Sequence, residues 1–185
     1  MKFLLVTCLL LLVPQTARVE EEAVSAEKIL VERGAFFIGA EPQLGVLVND
    51  FRRATGGLNL RGGYGITDDW SVFLDSGWRF TRQFNVLFHF IDLAPHVSYL
   101  AAPGFYLLAG GGPTFADASS GTRIAGFSIT QGVQRWGYLV GAGAGYIFVE
   151  KAGLSLSGEV EGFYRKIKAG NFFEPVLRLS LAYQF

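Results

Sequence analysis

The residues whose types and spacing could do chemistry are few. Pro95-His96-Val97-Ser98 sets a histidine and a serine two positions apart, and in an extended strand that spacing puts both on one face. A base and a nucleophile so placed could act together. The competing reading is a histidine hydrogen-bonded to Asp92 or Ser98 for structural reasons. Gly141-Ala142-Gly143-Ala144-Gly145 has the small residues of a phosphate-cradling loop, but it lies inside a strand pattern with no helix after it. That geometry cannot aim backbone N–H groups at a phosphate, so the glycines are expected to serve packing. His89 has no second ligand at a recognisable spacing, and no metal or other cofactor is expected. The remaining polar groups that recur at strand spacing are charged: Glu41, Arg61, Asp75, Arg79, Asp92, Glu159, Glu161, Arg165 and Arg178.

Stepping outward to what must hold these residues, 185 residues leave room for one domain. Half of the residues are hydrophobic and mean hydropathy is +0.32, yet beyond the start no apolar run is long enough for a membrane-spanning helix. An apolar, aromatic and glycine-rich chain of this kind points to spanning by strands. A formal net charge of zero argues against a nucleic-acid partner. Lys2 followed by the apolar run Phe3–Val13 reads as a secretory signal over residues 1–26, with cleavage after Ala17 or Ala26. Cys8 lies inside that run, so the processed chain is expected to carry no cysteine. Residues 27–33, the end of a charged and helix-compatible stretch from Arg18, read as a periplasmic lead-in, and 34–185 as the folded domain.

Eight strands follow at alternating periodicity. Expected spans are about 34–48, 57–66, 70–80, 86–100, 105–115, 136–148, 154–166 and 174–185. The third is the clearest, with Trp70, Val72, Leu74, Trp78 and Phe80 opposed to Ser71, Asp75 and Arg79. The upper half of the fourth, Val86–Ile91, and the glycine-rich fifth do not reveal their facing. Thr67–Asp69, Ala101–Gly104 and Glu150–Gly153 read as tight turns. Residues 49–56, 116–135 and 167–173 read as longer loops and 81–85 as a short one. With Lys166 at the loop end of the seventh strand they form a basic outer set: Arg52, Arg53, Arg82, Arg123, Arg135, Lys166 and Lys168. Short connections at one end and long ones at the other are the habit of transmembrane barrels. Aromatic residues form two girdles, Trp70, Tyr99, Phe148, Tyr183 and Phe185 at one end and Phe80, Trp136 and Tyr164 at the other. The class expected is therefore all-β: an eight-stranded, antiparallel, up-and-down transmembrane β-barrel. A secreted lipocalin-like barrel has the same periodicity with the faces exchanged, and periodicity alone does not separate the two.

In the membrane version the ionised side chains face inward. An eight-stranded interior is just wide enough to be filled by side chains, and charges there must pair. Arg61 is expected to meet Glu41 and Asp75, and Arg178 to meet Glu161, with His96 lower down. A network of this kind would plug the lumen; exchange of partners would instead make a narrow gated pore.

The last strand, Glu174–Phe185, alternates strictly and ends Tyr183-Gln184-Phe185. It resembles the closing strand of bacterial outer-membrane barrels, in which the terminal aromatic belongs to the signal read by the barrel-assembly machinery. With strand count and turn pattern, the chain from residue 34 resembles the small OmpA/OmpX-type barrels. The resemblance implies an outer-membrane protein, monomeric, with a structural or surface-interaction role and no enzymatic activity. Its basic outer loops would contact lipopolysaccharide or an external partner, the latter through 116–135. The H-x-S pair is also similar to that of the outer-membrane lipid A deacylases, but Tyr99 stands where that family has asparagine, and His96 falls at the wrong end for outer-leaflet lipid.

Overall fold

The computed structural model describes residues 33–48, 52–83, 86–124, 127–168 and 170–185, and for 83, 86, 118–124 and 127–133 the backbone alone. The signal segment and all but the last residue of the lead-in lie outside the described residues. Eight strands run β1 (Phe36–Val48), β2 (Arg52–Gly65), β3 (Trp70–Gln83), β4 (Val86–Ala102), β5 (Phe105–Ile124), β6 (Phe127–Lys151), β7 (Leu154–Ile167) and β8 (Gly170–Gln184). Each pairs antiparallel with its chain neighbours, and β8 returns to β1, closing an up-and-down barrel. Closure leaves no sheet edge to hydrocarbon. The seam is finished by reciprocal backbone hydrogen bonds: Phe36 N–H donates to Phe185 O (3.1 Å) and Phe185 N–H to Phe36 O (2.9 Å).

The start of β1, Phe185 and the tight turns share one end, here the short-turn end. At Ile66–Asp69 the Thr67 hydroxyl accepts from the Trp70 N–H at 3.0 Å. Ala152 and Gly153 both take positive φ (52° and 78°), the backbone twist that two-residue hairpins require. The opposite, loop end differs from the sequence expectation. Arg52 and Arg53 are not loop residues but pair with Val48 and Leu47, and Arg82 pairs with Leu87. Lys166 pairs with Tyr138 and Asn171, and Lys168 alone of the basic set sits in a turn. The stretch 116–135, expected to be irregular with Ile124–Ile129 as the alternative extension of a hairpin, is a hairpin through its described residues, with Arg135 opposite Ala116 and Arg123 opposite Ser128. The physical reason is that a strand end is decided by the neighbour that satisfies its backbone groups, which a residue's own polarity does not reveal.

Facing is clear-cut. Leu44, Ile38, Val160 and Leu177 are each about 60–70% exposed on the outer wall, while every member of the charged set is buried inside. That is the reverse of a lipocalin, and the lipocalin-like alternative falls. The eight girdle aromatics are all outward and exposed, with Trp70 against Tyr99 at 4.8 Å at the short-turn end. The lumen is not filled by charge alone, however. Phe37, Phe73, Tyr106, Leu108 and Ile147 form an apolar layer near the short-turn end, Ala94, Leu139, Phe163 and Val176 a middle one, and Leu47, Phe90 and Ala116 an upper one. The facing of strands four and five follows: Phe90, Tyr106, Leu108 and Thr114 point inward.

Candidate functional site: the lumen charge network

Below Arg53 at the loop end, the inner face carries four arginines, six carboxylates and His96, and the strand register sorts them into two tiers. The upper tier lies toward the loop end. Arg165 clamps Asp92 with two hydrogen bonds (Nη1–Oδ1 2.7 Å, Nη2–Oδ2 3.0 Å) and reaches Glu174 Oε2 at 3.3 Å. Arg79 holds the same two acids, through Nη1 to Glu174 (2.9 Å) and Nε and Nη2 to Asp92. Thr114 donates to Asp92 (2.5 Å) and Thr55 to Glu174 (2.7 Å). Two cations meet two anions, and their remaining lone pairs are covered by hydroxyls. Apart from Arg165 Nε, which is buried without a hydrogen-bond partner, the cluster is satisfied within itself, which is what buried ions need to offset desolvation.

The lower tier is built from every strand except β5 and β6. Arg61 on β2 forks onto Asp75 of β3 (Nε–Oδ1 2.9 Å) and Glu159 of β7 (Nη1–Oε1 2.5 Å), and its Nη1 also meets Glu41 of β1 at 2.9 Å. Arg178 on β8 directs Nη1 at Asp75 (2.9 Å) and Glu161 (3.0 Å), with Glu41 and Glu159 at 3.6 and 3.7 Å. The rigid guanidinium fork makes such multiple contacts possible where a lysine could not. Each arginine also lies over an aromatic ring: Arg61 over Phe73 (4.1 Å), Arg165 over Phe90 (4.4 Å), and Arg79 and Arg178 over Phe163 (4.7 and 5.1 Å). These inward rings gain cation–π contact in a desolvated setting.

All ten residues of the inward set named from the sequence lie in these two tiers. Sequence reasoning passed over Glu174, although it is in phase with Val176, Arg178 and Ser180; Pro175 interrupts the eye but not the alternation. His96 is placed differently from the expectation. Its partner is neither Asp92, held by arginines, nor Ser98, whose hydroxyl meets Ser71 at 2.6 Å. Instead Nε2 faces Glu161 Oε1 and Nδ1 faces the Ala94 carbonyl, both at 3.0 Å. His96 and Ser98 thus point the same way but are bonded apart, both buried in the lumen. Gly145 of the glycine run leaves the space that the Tyr106 ring fills. His89 stacks on Trp78 at 5.9 Å, and among the described residues no group of three His, Cys, Asp or Glu is placed to hold a metal ion.

The basic residues at the loop end divide by facing. Arg52, Arg82 and Lys166 point outward, one step beyond the girdle of Phe80 and Tyr164. Arg53 turns inward, half-buried over Phe88 at 5.7 Å. Arg135 and Lys168 are exposed at the rim, and the side chain of Arg123 lies outside the described set.

A closed, eight-stranded, antiparallel barrel with an apolar outer belt, two aromatic girdles and an ionised interior defines a class: the chain has the fold of the small transmembrane β-barrels of bacterial outer membranes. Among solved structures it is similar to Ail, the attachment invasion locus protein of Yersinia pestis (TM-score 0.63, 16% identity, 83% of this chain and 99% of that one). Ail has also been solved in complex with the heparin analogue sucrose octasulfate (TM-score 0.62). Neisserial surface protein A is similar as well (TM-score 0.58, 16% identity, 83% of this chain and all of that one). Neither a scan against protein-family models nor a search of curated proteins finds a match.

Proposed function

We propose that this protein is a plugged, non-enzymatic barrel of the bacterial outer membrane that meets anionic partners at its loop end. The observation that carries the reading is the collar of outward cations, Arg52, Arg82 and Lys166, set just beyond the aromatic girdle. Side chains there snorkel to the level at which lipopolysaccharide phosphates lie, and charge-assisted hydrogen bonds follow. The lumen offers a partner little, because its polar groups are engaged with one another. The complex of Ail with a sulfated sugar supports polyanion contact as a role for this fold, with Arg135 and Lys168 on the rim as further contacts. Assembly proceeds through recognition of β8 and the terminal Phe185, and the barrel is a monomer.

The test compares the wild type with the Arg52→Gln, Arg82→Gln, Lys166→Gln triple variant, refolded into bilayers with and without lipopolysaccharide. Wild-type binding should be salt-sensitive and at least tenfold stronger than the variant's. Equal binding by the two would refute the collar. Sucrose octasulfate as a soluble probe separates an external polyanion from membrane lipid. The competing reading is a narrow gated pore. Single-channel recording decides it: the plugged barrel stays silent, and wild-type conductance that changes in Arg178→Ala would establish the pore.

A further inference from the structure

The two tiers differ in charge balance. The upper one sets Arg79 and Arg165 against Asp92 and Glu174. The lower one sets only Arg61 and Arg178 against Glu41, Asp75, Glu159 and Glu161, with His96 as the remaining group that can be cationic. All are at most 6% exposed, so two uncompensated negative charges would sit in a low-dielectric lumen. Tyr106, of β5, is the other titratable group facing them; β6 contributes none, its inward residues here being glycines and Leu139 and Ile147.

Three observations say what makes up the difference. Both ring nitrogens of His96 face acceptors, the Ala94 carbonyl and Glu161, with Asp75 Oδ2 3.8 Å from Nδ1. A neutral imidazole has one N–H and can satisfy only one of those contacts; an imidazolium satisfies both. Glu161 Oε2 accepts no hydrogen bond although buried, leaving Arg178 as its charge neighbour. Glu41 and Glu159 meet at Arg61 Nη1, but Arg61 is forked onto Glu159 through both Nη1 and Nη2, so Glu41 shares that cation and is otherwise held by the neutral donors Asn59 (2.7 Å) and Ser180 (3.0 Å).

Among the described residues, polar access to the lower tier is seen at the short-turn end, through an apolar layer that includes Phe37, Phe73 and Ile147. At the short-turn end a cavity of about 50 Å³, room for one or two waters, is lined by Ser71, Ser98, Ser155, Ser157, Ser180 and Tyr106, among others. Its hydroxyls touch the two converging acids: Ser180 donates to Glu41 at 3.0 Å and Tyr106 to Glu159 at 2.6 Å. Toward the loop end the balanced tier and the Leu47–Phe90–Ala116 layer close the way.

We propose that the lower tier is a proton-binding site, holding one proton on His96 and a second shared by Glu41 and Glu159, in exchange with water through the serine-lined vestibule at the short-turn end. The barrel would thereby sense acidity on that side of the membrane, because loss of either proton leaves carboxylates unopposed around Arg61 and Arg178.

The experiment is infrared and nitrogen-15 NMR spectroscopy of the refolded full chain in micelles at neutral pH. The wild type should show a carbonyl band of a protonated carboxyl, and His96 with both ring nitrogens protonated. Glu41→Gln and Glu159→Gln should each remove the band, while heat-modifiable gel mobility reports that they fold. On transfer to heavy water the band should shift well before the barrel amides exchange. Absence of the band in the wild type overturns the proposal and makes a bound alkali cation, or an uncompensated cluster, the alternative. A neutral His96, or a band that exchanges only as slowly as the amides, refutes the first proton or the vestibule route.

Discussion

Arg165 is fully buried, and four of its contacts run to three partners on three other strands or its own hairpin: Asp92, Thr114 and Glu174. Replacing it by alanine leaves two acids sharing Arg79. The expected loss is about 3–5 kcal/mol of folding stability, read by equilibrium urea unfolding of the barrel in micelles. Arg165→Lys should lie between wild type and alanine, since one ammonium cannot clamp both oxygens of Asp92. Ser98 makes the opposite prediction. Its hydroxyl meets Ser71 rather than His96, so Ser98→Ala should leave the lipid A of cells making the protein unchanged; a lipid A deacylated by wild type but not by the variant would overturn the non-enzymatic reading. Residue types here revealed that charge would be gathered inward. They could not reveal the partner of His96, because Asp92, Ser98 and Glu161 are equally plausible until the register places β7 across from β4.

At the scale of the elements, the β5–β6 hairpin separates barrel from overhang. Residues 116–120 pair with β4, and Ala116 packs into the upper apolar layer. Residues 121–124 pair only with 127–130. Removing 121–130 should therefore leave the heat-modifiable gel shift of a folded barrel, whereas removing all of 116–135 should abolish it. This corrects the expectation from sequence that the stretch is a loop outside the barrel. On β6, a methyl group at Gly145 would run into the Tyr106 ring. Gly145→Ala should cost about 1–3 kcal/mol through overpacking and displace the Tyr106 hydroxyl from Glu159, visible as a change in tyrosine near-ultraviolet dichroism. The glycine run was legible as packing; which ring it admits was not, since Tyr106 lies on another strand.

For the whole molecule, the orientation of its two faces is the central feature. Spin labels at Leu179 and Val140 should be accessible to oxygen dissolved in lipid and shielded from water-soluble quenchers, and a label at Ser155 in the vestibule should behave in the reverse way. Water accessibility at both outer sites would remove the protein from the membrane.

Alternation with a period of two and the tight turns were enough, read from the chain alone, to specify eight antiparallel strands. The aromatic girdles favoured the membrane version, while the exposed apolar wall of the closed barrel decided which face meets lipid. The strands and turns are local properties, set by pleat geometry and by the intolerance of hydrocarbon for unpaired backbone. The division of the interior into a balanced and an unbalanced tier was not readable in that way. It depends on the register of eight strands, which places Glu174 beside Arg79 and His96 beside Glu161 across the barrel, and pairing of buried charges over such sequence distances is settled only when the barrel closes.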